Sequence, residues 1–384
     1  LQIPENVSAV QYKIVAASNH FSDGELSRYA RQLNLPAFGA AGQLKLKEAK
    51  VLVIGAGGLG CPLLLYLVAA GVGKIGIVDF DVVDESNLQR QVLYSVEDIG
   101  DSKAEVAKRK LLALNPLIKV TVFKTQFTRE NAMELMADFD VVADGTDNFP
   151  TRYLVNDACV LAGRVNVYAS IYRFEGQVSV FNYLNENGER GPNYRDLFPQ
   201  PPPPGMVPSC AEGGVLGVLP GIIGSLQASE VIKVITGVGT PLNGRLFLFD
   251  AASFTSRVLK ISKNPDTKIE ALIDYEDFCG IPKVSNQLQE ITIIDFKKMQ
   301  ADKEDFQLID VREKHEYELT NLGGTLIPLG EIVDSIDQIE RDKPVVVHCR
   351  SGQRSAEAIR LLLNQCPFEN LYNLKGGILA YDAD

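Results

Sequence analysis

Lys50-Val51-Leu52-Val53-Ile54 runs directly into Gly55-Ala56-Gly57-Gly58-Leu59-Gly60, and no other stretch restricts the fold of this chain as strongly. An apolar, β-branched run of this length reads as a buried strand. The glycines permit a tight turn and a close backbone approach to a phosphate, and the apolar run to Ala70 continues as a helix whose N-terminus favours anions. A second strand, residues 75–79, ends on Asp79, at the spacing from the glycine turn at which an acidic residue holds ribose hydroxyls. This is the opening of a mostly parallel, doubly wound sheet. Strands at 120–123, 141–143 and 164–168 and an amphipathic helix over 102–114 continue the alternation. Residues 177–182 and 245–249 add later strands. Pro201-Pro202-Pro203-Pro204-Gly205 between them fits neither helix nor central strand and reads as an extended crossing segment. A helix over 224–236 ends at Gly237.

The 384 residues are enough for two cores. Residues 1–20 read as an arm. Ser22-Asp23-Gly24-Glu25 is a capping box that starts a helix carrying Arg28, Tyr29, Arg31 and Gln32. A first domain spans 21–280, a polar linker 281–290, and a second α/β domain 291–384. The second domain has strands at 307–311, 325–327, 345–348 and 371–374, and helices at 332–339 and 353–364. A net charge of −11 argues against nucleic acid or an anionic membrane as partner. The most apolar stretches, 63–70 and 215–223, fall short of the roughly 20 residues that span a bilayer. The six cysteines have no metal-type spacing, and no leader segment is evident, which places the protein in the cytoplasm with free thiols.

The glycine loop alone suits a nicotinamide or flavin enzyme. Asn87, Arg90, Lys103, Asp147 and Asn148 shift the reading, because cations suit a triphosphate and carboxylates suit Mg²⁺. Arg28-Tyr29-x-Arg31-Gln32, GAGGLG, Asp79-Phe80-Asp81, Ser86-Asn87-Leu88-Gln89-Arg90-Gln91, Asp144-Gly145-Thr146-Asp147-Asn148 and Glu175-Gly176-Gln177 occur in that order. Over residues 22–280 the chain thereby resembles the ubiquitin-activating-type adenylyltransferases, in particular the molybdopterin-synthase and thiamine-biosynthesis branch. The resemblance implies a homodimer that uses ATP to adenylate the C-terminal glycine of a ubiquitin-like sulfur carrier ending in Gly-Gly. It assigns Gly55, Gly57 and Gly58 to the phosphates and Asp79 to the ribose. Asn87, Arg90 and Lys103 go to the triphosphate, Asp147 with Asn148 to the Mg²⁺ end of the site, and Arg31 to the partner subunit's nucleotide. Cys210 takes the place of a cysteine that bonds covalently to the carrier in the thiamine branch. Two C-x-x-C pairs that bind zinc in many relatives are missing. Asn193-Tyr194-Arg195-Asp196 and Asp266-Thr267-Lys268 stand there instead, so no structural zinc is expected.

Val345-Val346-Val347-His348-Cys349 leads into Arg350-Ser351-Gly352-Gln353-Arg354-Ser355. A strand feeding a helix through this loop aims successive N–H groups at the Cys349 sulfur, and Arg350 and Arg354 add positive charge. With Asp310-Val311-Arg312, Gly323-Gly324 and Gly376-Gly377, the segment resembles a single-domain rhodanese. That implies a persulfide on Cys349, supplied by a donor such as a cysteine desulfurase persulfide or thiosulfate. His348 points the other way on an alternating strand and reads as structural. The expected class is α/β: a Rossmann-like doubly wound sheet with added antiparallel strands, followed by a smaller α/β rhodanese domain. A nicotinamide-dependent oxidoreductase with an appended sulfurtransferase, and a non-catalytic carrier-binding scaffold, remain as alternatives.

Overall fold

Alternate residues of the first strand feed opposite faces of one sheet. Val51 and Val53 enter one core and Leu52 and Ile54 another, all fully or almost fully buried. The computed structural model describes residues 20–202, 214–280, 288–366 and 368–381. They form two compact units that divide between residues 281 and 282.

In the larger unit β1 (Lys50–Ile54), β2 (Lys74–Val78), β3 (Lys119–Phe123), β4 (Val141–Asp144) and β5 (Val165–Tyr172) are parallel, and β6 (Glu175–Phe181), β7 (Arg245–Asp250) and β8 (Thr255–Lys260) continue the sheet antiparallel. The order β3-β2-β1-β4-β5-β6-β7-β8 reverses direction of winding between β1 and β4. In open α/β sheets ligands bind at the strand carboxyl ends beside such a reversal. Helix α1 (Asp23–Leu33) starts on the Ser22–Glu25 capping box and packs on α2 (Gly39–Glu48). Helix α3 (Gly60–Ala70) has no charged residue and is buried along most of its length. It follows the glycine turn and ends on left-handed Gly71. Helix α4 (Lys103–Leu114) packs on β3, and α5 (Phe149–Leu161) packs on β4 and β5. Helix α6 (Leu219–Thr236) begins five residues before the expected Gly224 and covers α3, β5 and β6.

The smaller unit has β9 (Glu290–Ile291), β10 (Gln307–Asp310), β11 (Thr325–Leu326), β12 (Val345–His348) and β13 (Leu371–Leu374) in the parallel order β11-β10-β12-β13-β9. Helices α7 (Ile293–Ala301), α8 (Lys314–Leu319) and α9 (Gln353–Gln365) complete the part that matters for the site. Glu290, read from the sequence as the end of a linker, pairs with Asn373 as the first residue of an edge strand. The helix expected over 332–339 is replaced by two 3₁₀ turns, Leu329–Glu331 and Ile336–Gln338. Ile332 and Ile339 are both buried at helix-like spacing. The end of the segment is captured instead by Gln307, whose Nε2 donates to Gln338 O at 2.8 Å and whose Oε1 accepts from Glu340 N at 2.9 Å. Among the described residues no helix is long and apolar enough to cross a membrane.

Candidate functional site

The larger unit's site grows from the turn after β1. Gly55 has φ +88°, and a Cβ there would lie 3.0 Å from Gly145 O. A Cβ on Gly60 would lie 2.0 Å from Gly55 O. These two positions hold the turn tight against the end of β4, and side chains are excluded from both. Asp79, just past β2, folds its carboxylate back onto this turn. Its Oδ2 accepts from Ala56 N at 2.7 Å and its Oδ1 from Asp81 N at 2.9 Å. Burial pushes the Asp79 carboxyl up, and the two amides and the Lys103 charge only partly offset this.

A cavity of about 190 Å³ lies over these strand ends. Gly55, Gly57, Gly58 and Asp79 line it together with Arg90, Lys103, Asp147 and Asn148. Lys103, at the start of α4, has a buried side chain whose Nζ lies 3.0 Å from Asp81 Oδ2. Arg90 is held by Ser86 O at 3.0 Å. Asn148 caps α5 by accepting from Thr151 N at 2.9 Å, so Asp147 stands exposed just before a helix start. Two expected residues are not among those lining the cavity. Asn87 is half-buried in the 3₁₀ turn Glu85–Asn87, with Nδ2 3.4 Å from Ser86 Oγ, and Arg31 is exposed on α1. Cys210 lies outside the described residues.

Sequence reasoning missed Phe80, Thr125, Phe127 and Arg152, which also line the cavity. Thr125 and Phe127 follow β3, and the general rule that ligands bind beyond strand carboxyl ends was the available signal. Arg152 is a buried guanidinium stacked over Phe149 at 5.4 Å, with Nε unpartnered. It stands near Asp144, which closes β4 and accepts from Thr146 N at 2.9 Å and Thr146 Oγ1 at 2.6 Å. No pattern in the sequence separates Arg152 from an ordinary helical arginine.

The positions that resemblance gives to zinc ligands do not fit a metal. Arg195 donates to both Asp157 oxygens, at 2.8 and 2.7 Å, and Tyr275 donates to the same carboxylate at 2.9 Å. The guanidinium lies over Phe278 at 4.5 Å and Tyr153 at 5.1 Å. Asp196 ties the two segments together by accepting from Asn264 N at 3.0 Å. A second cation beside Arg195 would be repelled.

In the smaller unit Cys349 follows β12, the strand between β10 and β13. Its side chain is almost fully buried, and Sγ accepts from Gly352 N at 3.2 Å and Ser355 Oγ at 3.5 Å. Gly352, with φ +88°, turns the chain into α9, and a Cβ on Gly377 would lie 2.3 Å from Cys349 O. Burial works to raise the thiol. Hydrogen bonds from the Ser355 hydroxyl and from the Ser355, Ser351 and Gly352 amides outweigh it and hold the thiol below its ordinary value. Arg350, Ser351 and Gln353 are exposed on the loop.

The expected charge contribution needs correction at Arg354. Its Nη1 and Nη2 donate to Glu316 at 2.6 and 2.8 Å, so its charge is partly offset by this carboxylate while still acting on Cys349. The Arg354 bond holds the Glu316 carboxyl down at about 2. Ser355, which sequence reading did not single out, supplies the side-chain bond instead. His348 is buried with both ring nitrogens unpartnered. Burial, opposed by Asp310 3.8 Å away, holds it down at about 4. Asp310 forms a buried pair with Arg312 at 2.9, 3.0 and 2.5 Å.

A phosphate-type glycine loop in one unit and a sulfur-cradling cysteine loop in the other define a nucleotide-using enzyme joined to a sulfur-handling one. The ThiF family model matches residues 29–271 and the rhodanese-like domain model residues 292–384. The chain is 47% identical over 378 residues to the probable adenylyltransferase/sulfurtransferase MoeZ of Mycobacterium tuberculosis, covering 96% of this chain and 95% of that one. It is 44% identical over 384 residues to the adenylyltransferase and sulfurtransferase MOCS3 of Drosophila grimshawi, covering 94% and 84%. The sulfur carrier protein adenylyltransferase of Thermus thermophilus is 54% identical over 264 residues, covering 67% and 97%. In fold the chain matches E. coli MccB with a TM-score of 0.54 at 20% identity, over 70% of this chain and 92% of that one. The chain belongs to the ThiF family and carries a rhodanese-like domain. It is an ATP-using adenylyltransferase and sulfurtransferase, which disfavours both the nicotinamide oxidoreductase and the non-catalytic scaffold.

Proposed function

We propose that this enzyme adenylates the C-terminal glycine of a ubiquitin-like sulfur carrier protein ending in Gly-Gly, then converts it to a thiocarboxylate with sulfur carried on Cys349. The observation that carries the reading is the cavity lined jointly by the glycine turn, Arg90, Lys103 and Asp147. ATP is the co-substrate. The carrier's carboxylate attacks the α-phosphorus and pyrophosphate leaves. Arg90 and Lys103 stabilise charge developing on the phosphates, Gly58 permits close approach, and Asp79 holds the ribose. Asp147, with Asn148 at its side, is the exposed carboxylate suited to Mg²⁺, which would neutralise phosphate charge.

Arg31 lies outside its own cavity, and this supports a homodimer in which it reaches the second copy's nucleotide. Exposed Val92 and Val96, in the segment after Arg90, are consistent with an apolar subunit contact.

In the second step the Cys349 persulfide attacks the acyl carbon and AMP leaves, giving an acyl disulfide. A thiol, Cys210 in this reading, attacks Cys349 Sγ. It forms a new disulfide with that sulfur and releases the thiocarboxylate. A dithiol reductant then reduces the Cys210–Cys349 disulfide to two thiols and is itself oxidised to a disulfide. Cys349 next attacks the sulfane sulfur of a donor such as a cysteine desulfurase persulfide or thiosulfate, and the donor's thiol or sulfite leaves. The test is ATP–pyrophosphate exchange with a Gly-Gly-ended carrier. Exchange that depends on the carrier and disappears when its last glycine is removed is the expected result. Exchange indifferent to the carrier overturns the reading.

A further inference from the structure

Ser355 Oγ lies between two acceptors, Cys349 Sγ at 3.5 Å and Asn373 Oδ1 at 2.6 Å. A serine hydroxyl carries one proton, so it cannot donate to both. Ser355 and Cys349 are 0% and 1% exposed, so bulk water does not reach the hydroxyl–sulfur contact to supply a second donor. The two contacts are alternatives for one proton: at 2.6 Å Asn373 takes it while the sulfur is neutral, and the 3.5 Å contact to Sγ is the bond made when the sulfur is anionic. A neutral thiol is a weak acceptor. An anionic sulfur is the stronger acceptor, because a hydrogen bond to a charged partner gains more than one to a neutral partner. If the proton turned to sulfur while Asn373 kept its present orientation, two oxygen lone pairs would face each other at 2.6 Å.

A half-turn of the Asn373 carboxamide removes that conflict. It exchanges Oδ1 for Nδ2, whose N–H then donates to Ser355 Oγ, and the hydroxyl proton is free for Sγ. Asn373 lines a cavity of about 350 Å³ beside the cysteine loop, shared with Ser351, Gly352 and Gln353, so there is open space on its other side. We propose that Ser355 and Asn373 form a two-state hydrogen-bond relay that gives Cys349 an extra donor when its sulfur is anionic, as thiolate or persulfide, and withdraws it when the sulfur is neutral. Ser355 touches the reacting atom and is a catalytic residue. Asn373 acts through it and is a positioning residue. The Gly352 N–H at 3.2 Å is a fixed donor in both states.

The proposal rests on Cys349 as the sulfur-bearing residue, but its test reads the thiol directly. The charged groups around the loop are Arg350, the Arg354–Glu316 pair, the buried Asp310–Arg312 pair, and, at the cavity, Arg360 and the Lys375–Glu290 pair at 3.2 Å. His348 adjoins Cys349 in the chain. None of these is altered in the variants. In the full chain, iodoacetamide modification of Cys349 is followed from pH 5 to 10 by mass spectrometry of its peptide. Ser355→Ala is expected to raise the titration midpoint by about one pH unit, slowing modification about tenfold below the midpoint. An unchanged midpoint overturns the proposal. Asn373→Asp is isosteric but can only accept, so it holds the Ser355 proton away from sulfur in both states. In that background, adding Ser355→Ala is expected to shift the midpoint no further. The added carboxylate charge is common to both chains that carry Asn373→Asp and cancels between them. A shift as large as that of Ser355→Ala alone shows that the carboxamide does not turn, and overturns the relay.

Discussion

At Cys349 burial and hydrogen bonding pull the thiol in opposite directions, and the bonds win. Cys61 is as fully buried, but there hydrogen bonds from the Leu93 backbone and the Tyr94 side chain offset the burial only in part. Its Sγ faces Ala56 O at 3.4 Å, and burial pushes it up to about 12. The contrast separates a reactive sulfur from a packing one. Lys103 holds the corresponding place in the proposed nucleotide site. Its ammonium is buried beside Asp81, so its charge is preorganised rather than screened. Lys103→Ala should lower carrier-dependent ATP–pyrophosphate exchange by roughly 10²–10³, the usual effect of removing one preorganised donor. His348 sets a pH dependence. Its folded value of about 4 lies below the usual histidine value of about 6.5, so it contributes stability above pH 6.5. That stability, about 3 kcal/mol, is lost as pH falls from about 6.5 through 4, because the unfolded chain takes up the proton first. Denaturant midpoints of the smaller unit at pH 7 and 4.5 should therefore differ, and His348→Leu should reduce the difference.

Elements carry these residues to their places. β1 and β4 end side by side, which brings Gly55 against Gly145 and puts Asp147 and Asn148 over the glycine turn although more than 90 residues separate them from Gly55 in the chain. In the larger unit α5 is anchored through Asp157, whose pairing with Arg195 and Tyr275 joins segments far apart in sequence. Breaking one side of a buried ion pair costs about 3–5 kcal/mol. Arg195→Ala should accordingly lower the unfolding free energy of this unit by about that amount, measured by urea titration. Replacing Arg195 with Met and Asp157 with Leu together should cost less, since no charge is then stranded. Prolonged EDTA treatment should leave the same midpoint unchanged. β12 and β13 do for the cysteine loop what β1 and β4 do for the glycine turn, setting Cys349 and Asn373 on neighbouring strand ends.

The whole molecule places two chemistries on one chain, each within its own core. Acyl activation and sulfur transfer are thereby linked at a raised effective concentration. The division of labour makes a sharp prediction. Cys349→Ala should retain carrier-dependent ATP–pyrophosphate exchange and lose thiocarboxylate formation, measured by mass spectrometry of the carrier. Lys103→Ala should lose both. Equal loss of exchange in the two variants would contradict the separation.

Local sequence by itself determined the strand–turn–helix around Gly55–Gly60 and the strand–loop–helix around Cys349, because both depend on near-neighbour rules: apolar runs, glycine at a turn, a helix start. It also determined the family, through motifs in a fixed order. Tertiary structure alone decided what those motifs meet. Arg354 pairs with Glu316, 38 residues away, and Ser355 answers to Asn373, 18 residues away on another strand. Arg152 reaches the nucleotide cavity because α5 packs against β4 and β5. The helix expected at 332–339 gives way to bonds from Gln307. In each case the partner comes from an element distant in the chain, and the energy of pairing two polar groups depends on a distance that only the packed fold sets.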